Sequence, residues 1–163
     1  MKERLLPLLT VLFISLGILA VIIWYSSTKT IKSFSTSDSN RPVAQLSQPT
    51  YDFGDMKVSD VRDHDFTIKN TGKSDLTLAS VVTSCDCTFA QVILADGTKS
   101  PEFSMQNNSN WQTQVKPNQS VTLKVTYKPA LMPVSGPVKR VVDVATNDPA
   151  NPKLEVTITA KVS

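Results

Sequence analysis

Strict alternation of apolar and polar residues constrains this chain more than any other feature. In Ser120 to Lys128, Val121, Leu123, Val125 and Tyr127 alternate with Thr122, Lys124, Thr126 and Lys128. Near the end, Leu154, Val156, Ile158 and Ala160 alternate with Glu155, Thr157, Thr159 and Lys161. Phe66 and Ile68 share a face opposite Asp65, Thr67 and Lys69, and Val138, Val142 and Val144 share another. Period two places alternate side chains on opposite faces of a half-buried strand. Arg140 interrupts the last of these faces and must reach the rim or solvent. No helical stripe of comparable length follows residue 26. About seven short strands without a covering helix must bury their apolar faces sheet against sheet, which predicts an all-β sandwich over residues 43–163. Asn70-Thr71-Gly72, Lys116-Pro117-Asn118 and Thr146-Asn147-Asp148-Pro149 supply turns between strands. The polar run Gly97 to Asn110 reads as an exposed loop with Phe103 and Met105 folded back.

The first part of the chain obeys another rule. Leu5 to Tyr25 are 21 residues without a charge, about 31 Å as a helix and so close to the thickness of a bilayer core. Pro7 falls in the first turn, where a missing N–H costs little, and Trp24 and Tyr25 suit the headgroup region. A cleaved signal peptide is the competing reading, but the small residues that a cleavage site needs are missing near the end of the stretch. The expectation is a single uncleaved transmembrane anchor over residues 5–25, with a cytoplasmic head at 1–4 and the remainder outside. Residues 26–42, rich in serine and threonine, read as a flexible linker.

Without Lys2, Glu3 and Arg4 the chain carries 15 cationic and 13 acidic side chains, so nothing suggests nucleic-acid binding. With five glycines and none of the Gly-rich patterns, it offers no phosphate-cradling loop. His64 is the sole histidine, and its parity puts it on the Phe66 and Ile68 side at a strand start. Asp52 with Asp55, and Asp60 with Asp63 and Asp65, could pair as acid and base or hold calcium, but lack the spacing of a calcium loop. They read as solvated turn and strand acids. No serine is placed beside His64 as a nucleophile, so a hydrolytic enzyme is the remotest reading.

The only two cysteines, Cys85 and Cys87, stand one residue apart. Four chemistries remain open. They could be buried, reduced thiols, because alternate side chains of a strand share a face. They could form a local or an intermolecular disulfide; the local one requires a sharply bent backbone, since an extended strand puts the Cα atoms about 6.6 Å apart, at the limit of disulfide geometry. Two thiolates could hold a soft ion such as Cu(I), which makes Cys85 and Cys87 the candidate metal ligands. Thiol exchange is the fourth, opposed by Asp86 between the sulfurs.

The landmarks Tyr51-Asp52-Phe53-Gly54-Asp55, Phe66-Thr67-Ile68-Lys69-Asn70-Thr71-Gly72, Leu76-Thr77-Leu78, Ser84-Cys85-Asp86-Cys87-Thr88 and Thr146-Asn147-Asp148-Pro149 come in a telling order. Together they resemble the bacterial family called domain of unknown function 1573, with its F-G, F-x-x-x-N-x-G, S-C-G-C-T and T-N-D-P motifs. The resemblance spans nearly all of residues 43–162, and Asp86 replaces the family's usual glycine. It implies an immunoglobulin-like module, related in architecture to Hydin-type and major-sperm-protein-like domains and commonly exported or surface-tethered. It implies no reaction. The expectation is therefore a non-enzymatic binding or scaffolding module of the cell envelope, held to the membrane by residues 5–25, with an envelope protein as partner and no small-molecule substrate.

Overall fold

The computed structural model describes residues 13–20, 32–106 and 110–163. Residues 13–20 are helical and exposed. The head at 1–4, most of the 5–25 stretch and the first part of the linker lie outside the described residues. Among those described, no helix is long and apolar enough to cross a membrane. Residues 33–163 form a compact unit of their own.

That unit is a sandwich of two sheets. Its strands are β1 (Ala44–Leu46), β2 (Thr50–Met56), β3 (Arg62–Asn70), β4 (Leu76–Thr83), β5 (Thr88–Ile93), β6 (Gln112–Val115), β7 (Ser120–Tyr127), β8 (Gly136–Thr146) and β9 (Lys153–Val162). The first sheet runs β1-β3-β7-β5 and the second β2-β9-β8-β4-β6. Pairing is antiparallel except for β2 on β9. Among the described residues, nine strands stand where the alternation marks about seven. The two additional ones, β1 and β6, have three and four residues, too few to display a period, and both lie at sheet edges.

Alternation fills the core as expected. Phe66, Ile68, Val121, Leu123, Val125, Tyr127, Val142, Val144, Leu154, Val156 and Ile158 are all buried between the sheets. Arg140 pairs with Ile158 and so faces inward. Its guanidinium reaches over the Tyr127 ring, 5.7 Å from the centroid, while Nη1 donates to the Lys139 carbonyl. The side chain thus crosses the sandwich along an aromatic face to reach the rim.

The two ends of the sandwich differ. The chain enters β1 at the end where β3 and β8 finish, and a dense polar clasp holds it there. Buried Asp148 accepts from Arg41 Nη1 at 2.7 Å, the Ala44 N–H at 3.0 Å, the Ala150 N–H at 3.0 Å and Asn151 Nδ2 at 2.9 Å. Burial pushes its carboxyl pKa up, but the donors, Asn151 foremost, and the Arg41 charge outweigh that and hold it below the ordinary value. Asn70, fully buried, donates from Nδ2 to the Ser74 and Val115 carbonyls and accepts from the Gly72 N–H. Gly72 is required by close approach: a Cβ there would lie 2.6 Å from the Pro42 carbonyl carbon.

The opposite, far end collects the β2–β3, β4–β5 and β7–β8 connections. The nine residues of β3 separate the two ends by roughly 27 Å at 3.3–3.4 Å per residue.

Candidate functional site

Cys85, Asp86 and Cys87 occupy the far-end turn between β4 and β5. The Thr88 N–H donates to the Cys85 carbonyl at 3.1 Å, so the backbone folds sharply and the two Cα atoms come to 5.3 Å. The turn therefore has the bend that a closed i,i+2 pair demands, and Cys85 and Cys87 are joined as a disulfide. Both residues are buried, Cys87 completely. Their sulfurs lie 3.8 and 3.9 Å from Thr88 Oγ1. Closed in this way, neither sulfur is a thiolate, and Cu(I) ligation would require the reduced pair. Among the described residues no group of three or more His, Cys, Asp or Glu side chains converges as a metal site.

The turn is tied to its neighbours. Thr83 Oγ1 donates to the Cys85 carbonyl at 2.9 Å, and Ser84 exchanges hydrogen bonds with Val141 of β8. The Lys128 N–H donates to the Cys87 carbonyl at 2.9 Å, pinning the root of the β7–β8 loop. Asp86, half-buried between the two cysteines, accepts from Gln106 Nε2 at 2.7 Å, which brings the 103–106 segment to the same end. That segment is only partly solvent-facing. Phe103 is buried and exchanges backbone hydrogen bonds with Ala90, while the Ser100 N–H donates to the Val92 carbonyl and Ser100 Oγ accepts from the Val92 N–H, so the chain itself covers the free edge of β5. Met105 is half exposed rather than folded back.

The other candidates are held apart. His64 lies half-buried at a strand start, its ring stacked on Tyr51 at 3.6 Å and edge-on to Phe66. Asp63 faces the opposite side of β3, pairs with Lys124 at 3.0 Å and, chiefly through that hydrogen bond, raises the lysine pKa. Asp52 accepts from Thr159 Oγ1 and the Gly54 N–H, which in that order lower its pKa. Asp52 and Asp55 line an open groove of 590 Å³ on the outer face of the second sheet, beside Lys139 and Lys161. Asp60 accepts from the Lys57 N–H and meets Arg62 at 3.5 Å. Arg62 in turn donates to the Phe53 carbonyl at 2.6 Å, blocking part of the free β2 edge. These acids therefore serve turns, strands and lysines separately, and none of them meets His64 as a partner in the hydrogen bonds and ion pairs described.

One far-end feature escapes the sequence reading. The β7–β8 connection, Pro129-Ala130-Leu131-Met132-Pro133-Val134, exposes Leu131, Met132 and Val134, and Val61 is exposed on the β2–β3 connection. A signal was available: a loop this apolar, framed by two prolines, departs from the polar composition of ordinary connections.

No curated protein matches the sequence significantly. A protein of unknown function from Porphyromonas gingivalis W83 has a similar crystal structure, with a TM-score of 0.57 and 20% identity, covering 76% of this chain and 49% of that one. This chain thus spans about half the length of that protein. The ASH/PapD-like domain of human CEP192 is similar at a TM-score of 0.50 and 9% identity, over 83% of this chain and 94% of that one. Both likenesses are of fold alone, a two-sheet β-sandwich. Over residues 44–101, the stretch holding the F-G, F-x-x-x-N-x-G and S-C-x-C-T motifs, the chain matches the model of the family described as protein of unknown function (DUF1573).

Proposed function

We propose that this chain is a membrane-anchored, outward-facing, non-enzymatic immunoglobulin-like module with a binding or scaffolding role in the bacterial envelope. Residues 5–25 are the anchor and residues 26–42 the linker. The observation that carries the reading is the polarity of the sandwich: the chain enters at the Asp148 clasp, and loops from three connections stand at the other end. In sandwiches of this architecture, loops gathered at one end are free to vary while the strands hold the core. A tether at one end and recognition loops at the other is the arrangement of a module that presents a surface.

The test is recovery of partners from native membranes by the tethered chain, alongside protease accessibility of the module in intact cells. A specific envelope protein and outside accessibility are expected. Recovery of background proteins only, or a module protected inside the cell, would refute the reading.

A second reading draws on the convergence of Cys85 and Cys87 within one turn. If the pair is reduced in the cell, its two thiolates could hold Cu(I), and native mass spectrometry would show one metal per chain, lost when both cysteines become serine. A protein that ignores Cu(I) after reduction sinks this alternative.

A further inference from the structure

The far end carries most of the exposed large hydrophobic side chains of the sandwich. Val61, Met105, Leu131, Met132 and Val134 are each between 38% and 60% exposed, and Val82, on β4, is the only other one among the described residues of this unit. Three connections supply them, yet they sit on one end, because Arg62 pairs with Tyr127, Gly136 pairs with Val162, and Gln106 bonds to Asp86. The β7–β8 loop is built to hold its shape. Pro129 opens a 3-10 turn, the Leu131 and Met132 N–H groups donate back to Lys128 and Pro129, and Pro133 fixes the next φ. The disulfide-closed turn braces this loop through the Lys128–Cys87 hydrogen bond and the Met105 segment through Asp86 and Gln106. A pre-ordered loop loses little freedom when it binds.

Size and charge select the occupant. Five half-exposed side chains offer on the order of 400 Å² of apolar surface, a scale at which a patch marks an interaction site. Two such tips meeting each other would bury about 800 Å² in total, short of the roughly 1,000 Å² that a specific interface needs, so a second copy is a poor match. A lipid surface calls for basic and aromatic side chains. Here Lys57, Arg62 and Lys128 stand against Asp60 and Asp86, with Arg62 paired to Asp60 and Lys128 laid over the Phe89 ring. Among the described residues, no tryptophan or tyrosine is an exposed large hydrophobic. A convex, nearly neutral, aliphatic and thioether tip fits a concave, aliphatic-lined groove, where an inserted loop is buried on several sides and methionine adapts to the walls.

We propose that the far-end tip, with Leu131 and Met132 at its centre, is a docking surface that inserts into an aliphatic-lined groove on a protein partner, braced by the Cys85–Cys87 turn. This rests on the binding-module reading and names its surface.

The experiment places a photoreactive phenylalanine analogue at Leu131 or Met132 of the chain in native membranes. Lys73, at the clasp end, and Gln114, on the β6 edge, serve as comparison positions. The expected result is a discrete protein adduct from 131 and 132 and none from 73 or 114. Its cross-linked peptide should map to an apolar groove, and the purified partner should bind the native chain at least ten-fold more tightly than L131S/M132S. Both substituted residues are exposed, so an unchanged thermal melt separates lost binding from lost folding. Adducts only with a second copy or with lipid overturn the inference, as does undiminished binding by L131S/M132S. A discrete adduct from 73 or 114 alone overturns the tip while leaving the binding module standing. No adduct from any position overturns both.

Discussion

Replacing Asp148 with asparagine should weaken the module through the clasp that receives the chain at β1. The shape is conserved, so the change is one of hydrogen-bond sense. Oδ1 of Asp148 accepts from Arg41 and Ala150, and Oδ2 accepts from Ala44 and Asn151. An asparagine keeps one oxygen and turns an NH2 toward two donors, whichever way the amide is flipped. Each orphaned buried donor costs about 1–3 kcal/mol, and breaking one side of a buried ion pair costs about 3–5 kcal/mol. The Arg41 side chain is 24% exposed, so water recovers part of its loss and the low end applies, about 3 kcal/mol. For a domain of this size that shifts the melting midpoint by on the order of 10 °C. The pH dependence gives a second, independent reading. A carboxyl whose folded pKa lies below its unfolded value, as for Asp148, contributes fully above the unfolded value, near 3.9. It loses that contribution as pH falls through the folded pKa. Urea unfolding of residues 33–163 should therefore show native protein and D148N well separated at neutral pH. The gap should narrow toward acid as the native carboxyl itself gains a proton. A D148N variant within about 0.5 kcal/mol of native at pH 7, or a gap that stays constant into acid, would contradict this account of the clasp.

Three further outcomes follow from the same geometry. Gly72→Ala sets a Cβ against the Arg41–Val43 backbone and should cost about 2 kcal/mol by overpacking, read by urea unfolding; a neutral result would mean that the chain before β1 yields easily. Tyr127→Phe removes a buried hydroxyl that has no hydrogen-bond partner among the described residues and keeps the ring under Arg140. Its stability should be unchanged or higher by up to about 1 kcal/mol, and a loss above that in thermal unfolding would show that the hydroxyl is satisfied by water. The intact mass of the protein made in an oxidising compartment should be two hydrogens short until reductant is added, as the Cys85–Cys87 disulfide requires; a mass that reductant leaves unchanged contradicts it.

The strands were legible because burial and period coincide. The faces read from Val121 to Tyr127 and from Leu154 to Ala160 are buried as expected. Strands β1 and β6 were not, since three or four residues carry no period and their pairing is decided by the neighbour they meet. Asp148 was legible as a turn residue, but its partners Arg41 and Ala44 lie 107 and 104 residues away, and no local pattern encodes such a contact. The cysteine pair shows a similar limit. Its spacing admitted a strand or a bend, and the Thr88-to-Cys85 backbone hydrogen bond, a property of the folded turn, decides for the bend. His64 lies on the parity that the alternation assigned because one strand suffices to determine it.

The position of β9 bears on how the module comes to be folded at all. It is the last of the described strands, yet it lies between β2 and β8, and its parallel partner Thr50 precedes Thr157 by more than a hundred residues. A chain made from its N-terminus can assemble β3, β7 and β5 before β9 is made, while the second sheet lacks an interior strand until β9 emerges. Contacts this distant in sequence slow folding. The module is thus committed late, and a chain stopped short of β9 leaves the pairing edges of β2 and β8 open to proteolysis and aggregation.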